Sequence, residues 1–215
     1  MSDIALELAQ LLCTRLCHDL AGPVGAVAAG VELIGDDPAA ADPETLGLIG
    51  SSSAAASRKL KFLRTALGSA GGGAADLKIL LEGYLEAVAG PGGKAEVQWP
   101  APAVVSTAAA SFGPAWTQTV LNLCLLALEL QPGCRGLSLQ CSPSRVSIEA
   151  VGRATTVREE LRTAAMSNTG TPLSAKNIQA HIAGRLVRAS GGILELSSAG
   201  DRIIVTATVP TAGGT

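Results

Sequence analysis

The stretch that decides the fold is residues 13–38, which read CTRLCHDLAGPVGAVAAGVELIGDDP. Apolar or small residues recur along it in alternating steps of four and three, at Cys13, Cys17, Leu20, Val24, Val27, Val31 and Ile34. This heptad rhythm predicts one helix over residues 4–34 that packs against other helices along a single apolar seam. The glycine, two aspartates and proline at residues 35–38 end it.

A second helix with the same rhythm follows. Asp42, Pro43 and Glu44 have the residue types of a helix cap, a first-turn proline and a first-turn acid. The seam continues to the end of this helix at Leu46, Ile49, Ser53, Ala56, Leu60, Leu63 and Leu67. Two matched helices joined by a short loop predict an antiparallel hairpin. Because a lone hairpin leaves much of its seam in water, we expect residues 1–70 to pair with a second copy in a homodimeric four-helix bundle.

The pattern changes after the glycine-rich residues 68–73, which predict a flexible joint. Runs that alternate in polarity predict strands at residues 95–99, 137–141, 146–150, 193–197 and 203–209. Helical runs lie at residues 76–89, 115–130, 157–166 and 176–190. Strand pairs that alternate with helices predict a second domain, residues 76–215, built as an α/β sandwich with helices on one face of a mixed sheet. The predicted fold class is therefore α+β.

Composition and charge argue against several classes of function. Apolar residues make up 47% of the chain, enough for a sizeable core, and aromatic residues only 2%. A net charge of -2, no basic stripe and few rings on which bases would stack argue against nucleic acid as a partner. The longest uncharged apolar stretch, residues 20–31, is too short to span a bilayer, and the acidic N-terminus does not resemble a signal peptide. We therefore expect a cytoplasmic protein without a membrane partner.

The five cysteines, without a secretory signal, indicate reduced thiols. Cys13 and Cys17 stand four residues apart on the first helix, beside His18, and allow two interpretations. They could be metal ligands, although Cys17 and His18 diverge by about 100° on a helix and no second ligand pair appears elsewhere. The alternative is that both are small core residues.

His18, one of two histidines, is the best candidate for chemistry. Neutral imidazole is a good nucleophile toward phosphorus, and Asp19 could orient the ring or hold its proton. Pro23 removes the helical hydrogen bond to the carbonyl of Asp19 and should kink the helix. Gly22 and Gly25 cost helix stability, which indicates either bare backbone for an approaching partner or close helix packing. Residue types alone also allow His18 to be an ordinary surface residue.

Charged side chains on both helices are candidates for binding. Arg15 and Asp19 stand four residues apart and can pair, which contributes about a few tenths of a kcal/mol at a surface. A basic cluster on the second helix consists of Arg58, Lys59, Lys61 and Arg64. It is either a solvated helix face or a docking surface for an acidic partner or a phosphoryl group, and helix geometry leaves both open.

The run His18-Asp19-Leu20-x-x-Pro23-Val24 resembles the phosphoacceptor motif of sensor histidine kinases, which lies on the first helix of a dimeric bundle. The second half of the chain is similar to the ATP-binding domain of those kinases. Residues 119–127 resemble the helix with two magnesium-associated asparagines, residues 185–196 the last helix and its strand, and residues 201–210 the closing strand. The resemblance covers nearly the whole chain.

The departures from the kinase pattern all concern the nucleotide site. Leu126 stands at the second asparagine. Ala150 stands at the aspartate that reads adenine, with Gly152 kept and Ala154 in place of the last glycine. The glycine-rich phosphate lid aligns with residues 177–181, which contain no glycine. Since a phosphate cradle needs bare backbone amides and a magnesium bridge needs oxygen ligands, we expect that the chain neither binds nor hydrolyses ATP.

A histidine-bearing hairpin joined to a kinase-like domain without a nucleotide site resembles the ChpT family of alphaproteobacterial histidine phosphotransferases, in the runs at residues 16–26 and 177–180. The resemblance implies that His18 accepts a phosphoryl group at Nε2 from the receiver aspartate of a CckA-like hybrid kinase. His18 would pass it to CtrA-like and CpdR-like response regulators, and Asp19 would orient or deprotonate His18. Magnesium would come from the receiver, so no cofactor is expected on this chain. Docking would use Arg15, Gly22, Gly25, Arg58, Lys59, Lys61 and Arg64.

Two other functions stay open: a divergent ATP-dependent autokinase, and a non-catalytic adaptor that binds receivers. Gly22 stands where many kinases of the resembled class carry a Thr or Asn that positions hydrolytic water, so weak phosphatase activity is expected through that route. His181 aligns within the lost lid, and we expect a surface or partly buried residue there rather than a second acceptor.

Overall fold

The computed structural model describes residues 3–68, 77–90, 95–167 and 172–210. Its helices are α1 Asp3–Asp36, α2 Pro43–Leu67, α3 Leu77–Ala89, α4 Pro102–Phe112, α5 Trp116–Leu130, α6 Glu159–Met166 and α7 Ile178–Ala189. Its strands are β1 Glu96–Gln98, β2 Gly136–Ser142, β3 Arg145–Val151, β4 Ile193–Ala199 and β5 Arg202–Thr208. Each predicted helix and strand is present, and the predicted α+β class is confirmed.

Helices α1 and α2 form the predicted antiparallel hairpin. Asp42 caps α2 by accepting a hydrogen bond from the backbone N–H of Thr45 at 2.7 Å, as its residue type predicts. Along the hairpin, Gly30 faces Ile49, and a Cβ built on Gly30 would lie 2.5 Å from Cγ1 of Ile49. This glycine therefore allows the two helices to approach more closely than any side chain would permit.

The five strands form one mixed sheet in the order β1-β2-β3-β5-β4. Strand β1 pairs with β2 in parallel, and the other neighbours are antiparallel. Alternate strand residues are buried, among them the register partners Ile148 and Val205, whereas their chain neighbours Glu149 and Ile204 lie on the opposite, less buried face. Helix α5 packs against β3 and β5 on the buried face, so the helices cover one side of the sheet as predicted.

The last turns of α2 belong to the same core as the sheet domain. Phe62, Leu63 and Ala66 are buried in one cluster with residues of α3, α5 and the strands. The ring of Phe62 stacks on Tyr84 of α3, with the ring centroids 4.3 Å apart. Beyond Gly68, the predicted joint at residues 68–73 lies outside the described residues, and the predicted division into domains 1–70 and 76–215 stays a prediction.

Helix α4 is the element that the sequence pattern does not predict. Small residues dominate it, and they hide the apolar spacing of Val105, Ala108 and Phe112, which are all buried. Pro102 suits its first turn, where a missing N–H leaves no helical hydrogen bond unmade. Packing against β2 therefore contributes more to the formation of this helix than its own sequence pattern does. Among the described residues, no helix is long and apolar enough to cross a membrane.

Candidate functional site

His18 lies on α1 with 89% of its side chain exposed. Its Nδ1 lies 3.4 Å from Oδ1 of Asp19. The contact is long for a hydrogen bond, yet it favours the tautomer with the proton on Nδ1, because a carboxylate only accepts. The lone pair is then on Nε2, across the ring. An exposed imidazole in this state can act as a nucleophile toward an incoming group.

Arg15 connects this part of α1 to the second half of the chain. Its Nη1 donates a hydrogen bond to Oε2 of Glu129 on α5 at 2.8 Å. Its Nε lies 3.8 Å from Oδ2 of Asp19, so the pairing of Arg15 with Asp19 that the sequence predicts is present but is the longer of the two. The side chains of Arg15 and Glu129 are only 15% and 17% exposed. Arg15 therefore joins α1 to α5 through this ion pair, and it is also a candidate docking residue.

Glu129 is the site residue that the sequence pattern does not single out. Burial raises the pKa of Glu129, and the Arg15 guanidinium opposes that shift. Tyr84 on α3 shares this environment: burial, and then the charge of Asp19, raise its pKa to about 12. A signal for Glu129 does exist in the sequence, because it is the only charged residue of α5. A lone carboxylate on a largely buried helix requires a partner.

The predicted basic cluster divides into two kinds of residue. Lys59 is half-buried and donates a hydrogen bond from Nζ to the backbone carbonyl of Asp19 at 3.2 Å. Arg58 pairs with Glu86 of α3 at 3.0 Å. Lys61 and Arg64 are exposed. Two of the four cations therefore make contacts within the chain, and Lys61 and Arg64 are the better candidates for contact with a partner.

Gly22 and Gly25 lie next to His18 on an open helix surface. Apart from the chain neighbours and the nearby backbone of α1 itself, no atom of the described residues lies within 4 Å of a Cβ built on either glycine. The alternative of close packing therefore has no support within a single chain at Gly25. Close packing occurs instead at Gly30, against Ile49. The backbone beside the imidazole is accessible to an approaching molecule.

Cys13 and Cys17 are exposed in the single chain, so neither lies in the core of one chain, and their burial in a dimer seam stays a prediction. Within the part of the chain that the structure describes, no group of three or more His, Cys, Asp or Glu side chains could hold a metal ion. Cys124 is buried, and burial raises its thiol pKa.

The residues that the resemblance aligns with the kinase nucleotide site differ in their burial. Leu126 and Ala150 are fully buried in the apolar core, whereas Ala154 is exposed. Gly152 contacts a side chain: a Cβ there would lie 2.8 Å from Cδ of Gln131. The glycine kept from the kinase pattern therefore accommodates Gln131.

Asn122, which the resemblance aligns with the first kinase asparagine, is fully buried. Both its amide nitrogen and its amide oxygen make hydrogen bonds. Its Nδ2 donates to the carbonyls of Ala66 and Gln118, each at 2.7 Å. Its Oδ1 accepts from Nε2 of Gln179 on α7 at 2.9 Å. Asn122 thus joins α5 to the end of α2 and to α7, and its polar atoms already have partners.

His181 is buried, so the expectation of a surface or partly buried residue is wrong, and the expectation that it is not a second acceptor stays a prediction. Burial lowers its pKa, and the charges of Arg185 and Arg188 add to that effect. A buried, neutral imidazole on α7 has none of the accessibility of His18.

Apolar seam residues of the hairpin remain exposed in the single chain. Val24 and Val31 on α1 and Leu46 and Leu60 on α2 are each more than half exposed. The intervening seam residues Val27 and Ile49 are partly buried between the two helices. One row of seam residues therefore packs between α1 and α2. The other row forms an exposed apolar surface.

Comparison with known proteins assigns the chain to a family. Residues 75–202, more than half of the chain, match the family described as Histidine phosphotransferase C-terminal domain. The protein phosphotransferase ChpT of Brucella abortus (strain 2308) is 48% identical over 67 residues, which are 31% of this chain and 31% of that relative, so the match spans about a third of its length. A 1.7 Å structure of a bacterial phosphotransferase superposes with a TM-score of 0.72 and 26% identity, over 94% of this chain and 96% of that one. The resemblance to ChpT-type proteins is thus confirmed, and the chain belongs to the histidine phosphotransferase family.

Proposed function

We propose that this chain is the phosphotransferase of a two-component phosphorelay. His18 accepts a phosphoryl group from the aspartyl phosphate of a hybrid-kinase receiver and passes it to the aspartate of a response-regulator receiver. The observation that carries the proposal is the exposed His18 ring with Asp19 at Nδ1. Bare backbone at Gly22 and Gly25 beside the ring leaves room for a receiver domain.

The chemistry requires a lone pair on Nε2 and a proton held on Nδ1. Nε2 attacks phosphorus, the N–P bond forms, and the bond from phosphorus to the aspartate oxygen breaks, which releases the receiver carboxylate. Asp19 stabilises the positive charge that develops on the ring through its contact with Nδ1. The second transfer is the reverse step with a different receiver. Magnesium belongs to the receiver's acidic pocket in this proposal, and this chain holds no cofactor.

Nucleotide plays no part in the proposed reaction. Binding of ATP with magnesium would require an oxygen ligand at position 126 and a hydrogen-bond acceptor for adenine at position 150. Leu126 and Ala150 instead lie in the apolar core. Asn122 is already bonded to Gln179 and to the carbonyl of Ala66. Freeing it for magnesium would break buried hydrogen bonds, each of which costs about 1–3 kcal/mol when left unmade.

The functional unit in this proposal is a homodimer that acts in the cytoplasm. The exposed row of seam residues, which includes Val24, Val31 and Leu46, supports a four-helix bundle formed by two hairpins. The donor would be the receiver of a CckA-like hybrid kinase, and the acceptors CtrA-like and CpdR-like regulators. Lys61 and Arg64, with Arg15 and the accessible glycines, would contact the acidic receiver surface.

A phosphotransfer assay tests the proposal. A receiver carrying labelled aspartyl phosphate is mixed with the wild-type chain, with His18→Ala, and with His181→Gln as the matched control at the other histidine. We expect acid-labile label on the wild type and on His181→Gln and none on His18→Ala. Label on His18→Ala, or no label on the wild type, would show the proposal to be wrong.

Two further arms of the assay address the alternatives. Labelling of the wild type by ATP alone, without a receiver, would identify an autokinase. Binding of the phosphorylated receiver without transfer would identify an adaptor.

A further inference from the structure

Glu129 lies far from His18 along the chain, but its side chain contacts Arg15, which is close to His18 on α1. Glu129 and Arg15 are 114 positions apart, and their side chains meet at 2.8 Å in a largely shielded ion pair. The proposed reaction assigns no role to Glu129. Its placement on α5, in the second half of the chain, nevertheless brings it next to Arg15, a cation that also faces the carboxylate of Asp19.

Asp19 stands between two donors. Its Oδ1 lies 3.4 Å from Nδ1 of His18, and its Oδ2 lies 3.8 Å from Nε of Arg15. That Nε is buried and has no hydrogen-bond partner among the described residues. A buried donor without a partner is costly, so Arg15 would gain by closing on Asp19. Glu129 holds the other end of the guanidinium and opposes this movement.

We propose that Glu129 is a positioning residue for the chemistry at His18, because it holds Arg15 and thereby leaves Asp19 in contact with Nδ1 of His18. The inference rests on the proposed function of His18 as the acceptor. Loss of the contact would release His18 to the tautomer with the proton on Nε2, which has no lone pair at the attacking nitrogen. The second domain would in this way support the reactive state of a residue on the hairpin.

The other charged groups near Glu129 do not substitute for Arg15 in this role. Arg158, which precedes α6, stabilises the ionised form of Glu129 only at longer range, and Tyr84 of α3 stays neutral because its pKa is raised. Arg15 is the group that donates a hydrogen bond to Glu129 and also faces Asp19.

The test is the Glu129→Gln variant of the full chain, which keeps the shape of the side chain and removes its charge. Nitrogen NMR of the two histidine rings reports which nitrogen carries the proton, with His181 as the internal reference. We expect the Nδ1–H fraction of His18 to fall toward the Nε2–H form that free histidine favours. The rate of phosphoryl transfer from a labelled receiver should fall about three- to tenfold, the effect of one hydrogen bond. The Glu129→Asp variant, which keeps the negative charge, should restore part of the Nδ1–H fraction of His18 and part of the transfer rate.

Glu149→Gln is the matched control, since Glu149 pairs with Arg202 at the same 2.8 Å on the open face of the sheet. It should change neither the tautomer nor the rate. In an Arg15→Gln background, Glu129→Gln should have no further effect on the tautomer.

An unchanged tautomer in Glu129→Gln, or a shift that persists without Arg15, would overturn the inference. The tautomer measurement needs no partner. If the tautomer responds while no phosphoryl group ever reaches His18, the proposed function fails, and only the effect of Glu129 on the protonation of the His18 ring stands.

Discussion

Lys59 donates a hydrogen bond to the backbone carbonyl of Asp19, with Nζ and the oxygen 3.2 Å apart. In an uninterrupted helix this carbonyl would accept from the N–H of residue 23, which is Pro23 and has none. A side chain of α2 thus supplies the donor that the proline removes from α1. The residue next to the candidate acceptor is thereby tied to the neighbouring helix.

We predict that Lys59→Met lowers the free energy of unfolding by about 1 kcal/mol, because it leaves the carbonyl of Asp19 without its donor. Lys61→Met is the matched control on the exposed side of the same helix and should change stability by less than about 0.5 kcal/mol. Urea unfolding measures both. In a Pro23→Ala background, where the helical N–H returns, the cost of Lys59→Met should largely disappear. A cost of equal size in both backgrounds would show that Lys59 stabilises the hairpin in another way.

Replacing two glycines of α1 by alanine, one at a time, should change the stability of the chain in opposite directions. Gly25→Ala should stabilise the chain by about 0.5–1 kcal/mol, since the added Cβ has open space and alanine favours the helix. Gly30→Ala should destabilise it by about 1–3 kcal/mol because its Cβ would overlap Ile49. Thermal unfolding measures both effects.

The same Gly25→Ala variant tests whether a receiver approaches bare backbone. A more stable protein that transfers phosphoryl groups more slowly is the expected result. Unchanged transfer would rule out this position as a contact, and a loss of stability would indicate instead that Gly25 packs against a second chain.

The exposed apolar row of the hairpin should hold two copies together. Val31→Glu or Leu46→Glu places a charge in that surface and should convert the protein to a monomer, as measured by light scattering after size exclusion. Ile79→Glu is the control, because Ile79 is more exposed than either seam residue but lies on α3. A wild type that is monomeric, or dimers that survive both seam variants, would contradict the proposed bundle.

Stability should decline in mild acid because of His181. Burial lowers its pKa in the folded state, so the unfolded chain binds the proton more tightly. The contribution of the neutral ring is fully present above the unfolded pKa of about 6.5 and is lost as the pH falls through the folded value. Urea unfolding at pH 7.5 and at pH 5 should show a smaller loss for His181→Gln than for wild type. Equal losses would mean that other groups account for the acid sensitivity.

Local features of the structure follow from short-range pattern. The heptad spacing predicts α1 and α2, and Asp42 has the side chain that caps α2. These interactions join residues a few positions apart, so their geometry is contained in the local sequence. Helix α4 is the exception, because its small residues make a weak pattern and burial against β2 supplies what the pattern lacks.

The long-range contacts around the site could not be predicted from short-range sequence pattern. Sequence spacing treats Arg58, Lys59, Lys61 and Arg64 alike, whereas the fold gives Lys59 and Arg58 partners within the chain. Spacing also did not decide whether Cys13 and Cys17 are metal ligands or core residues, whereas the fold leaves both exposed in one chain.

The sequence by itself determined the strands, every helix except α4, the histidine with its adjacent acid, and the proline that leaves the carbonyl of Asp19 without a helical donor. Only the tertiary structure decided that Lys59, 40 positions away, supplies this donor, and that Glu129, 114 positions from Arg15, holds the guanidinium beside Asp19. The physical reason is that periodicity fixes which face of a helix a residue occupies, whereas its partner depends on which other surface the fold brings against that face.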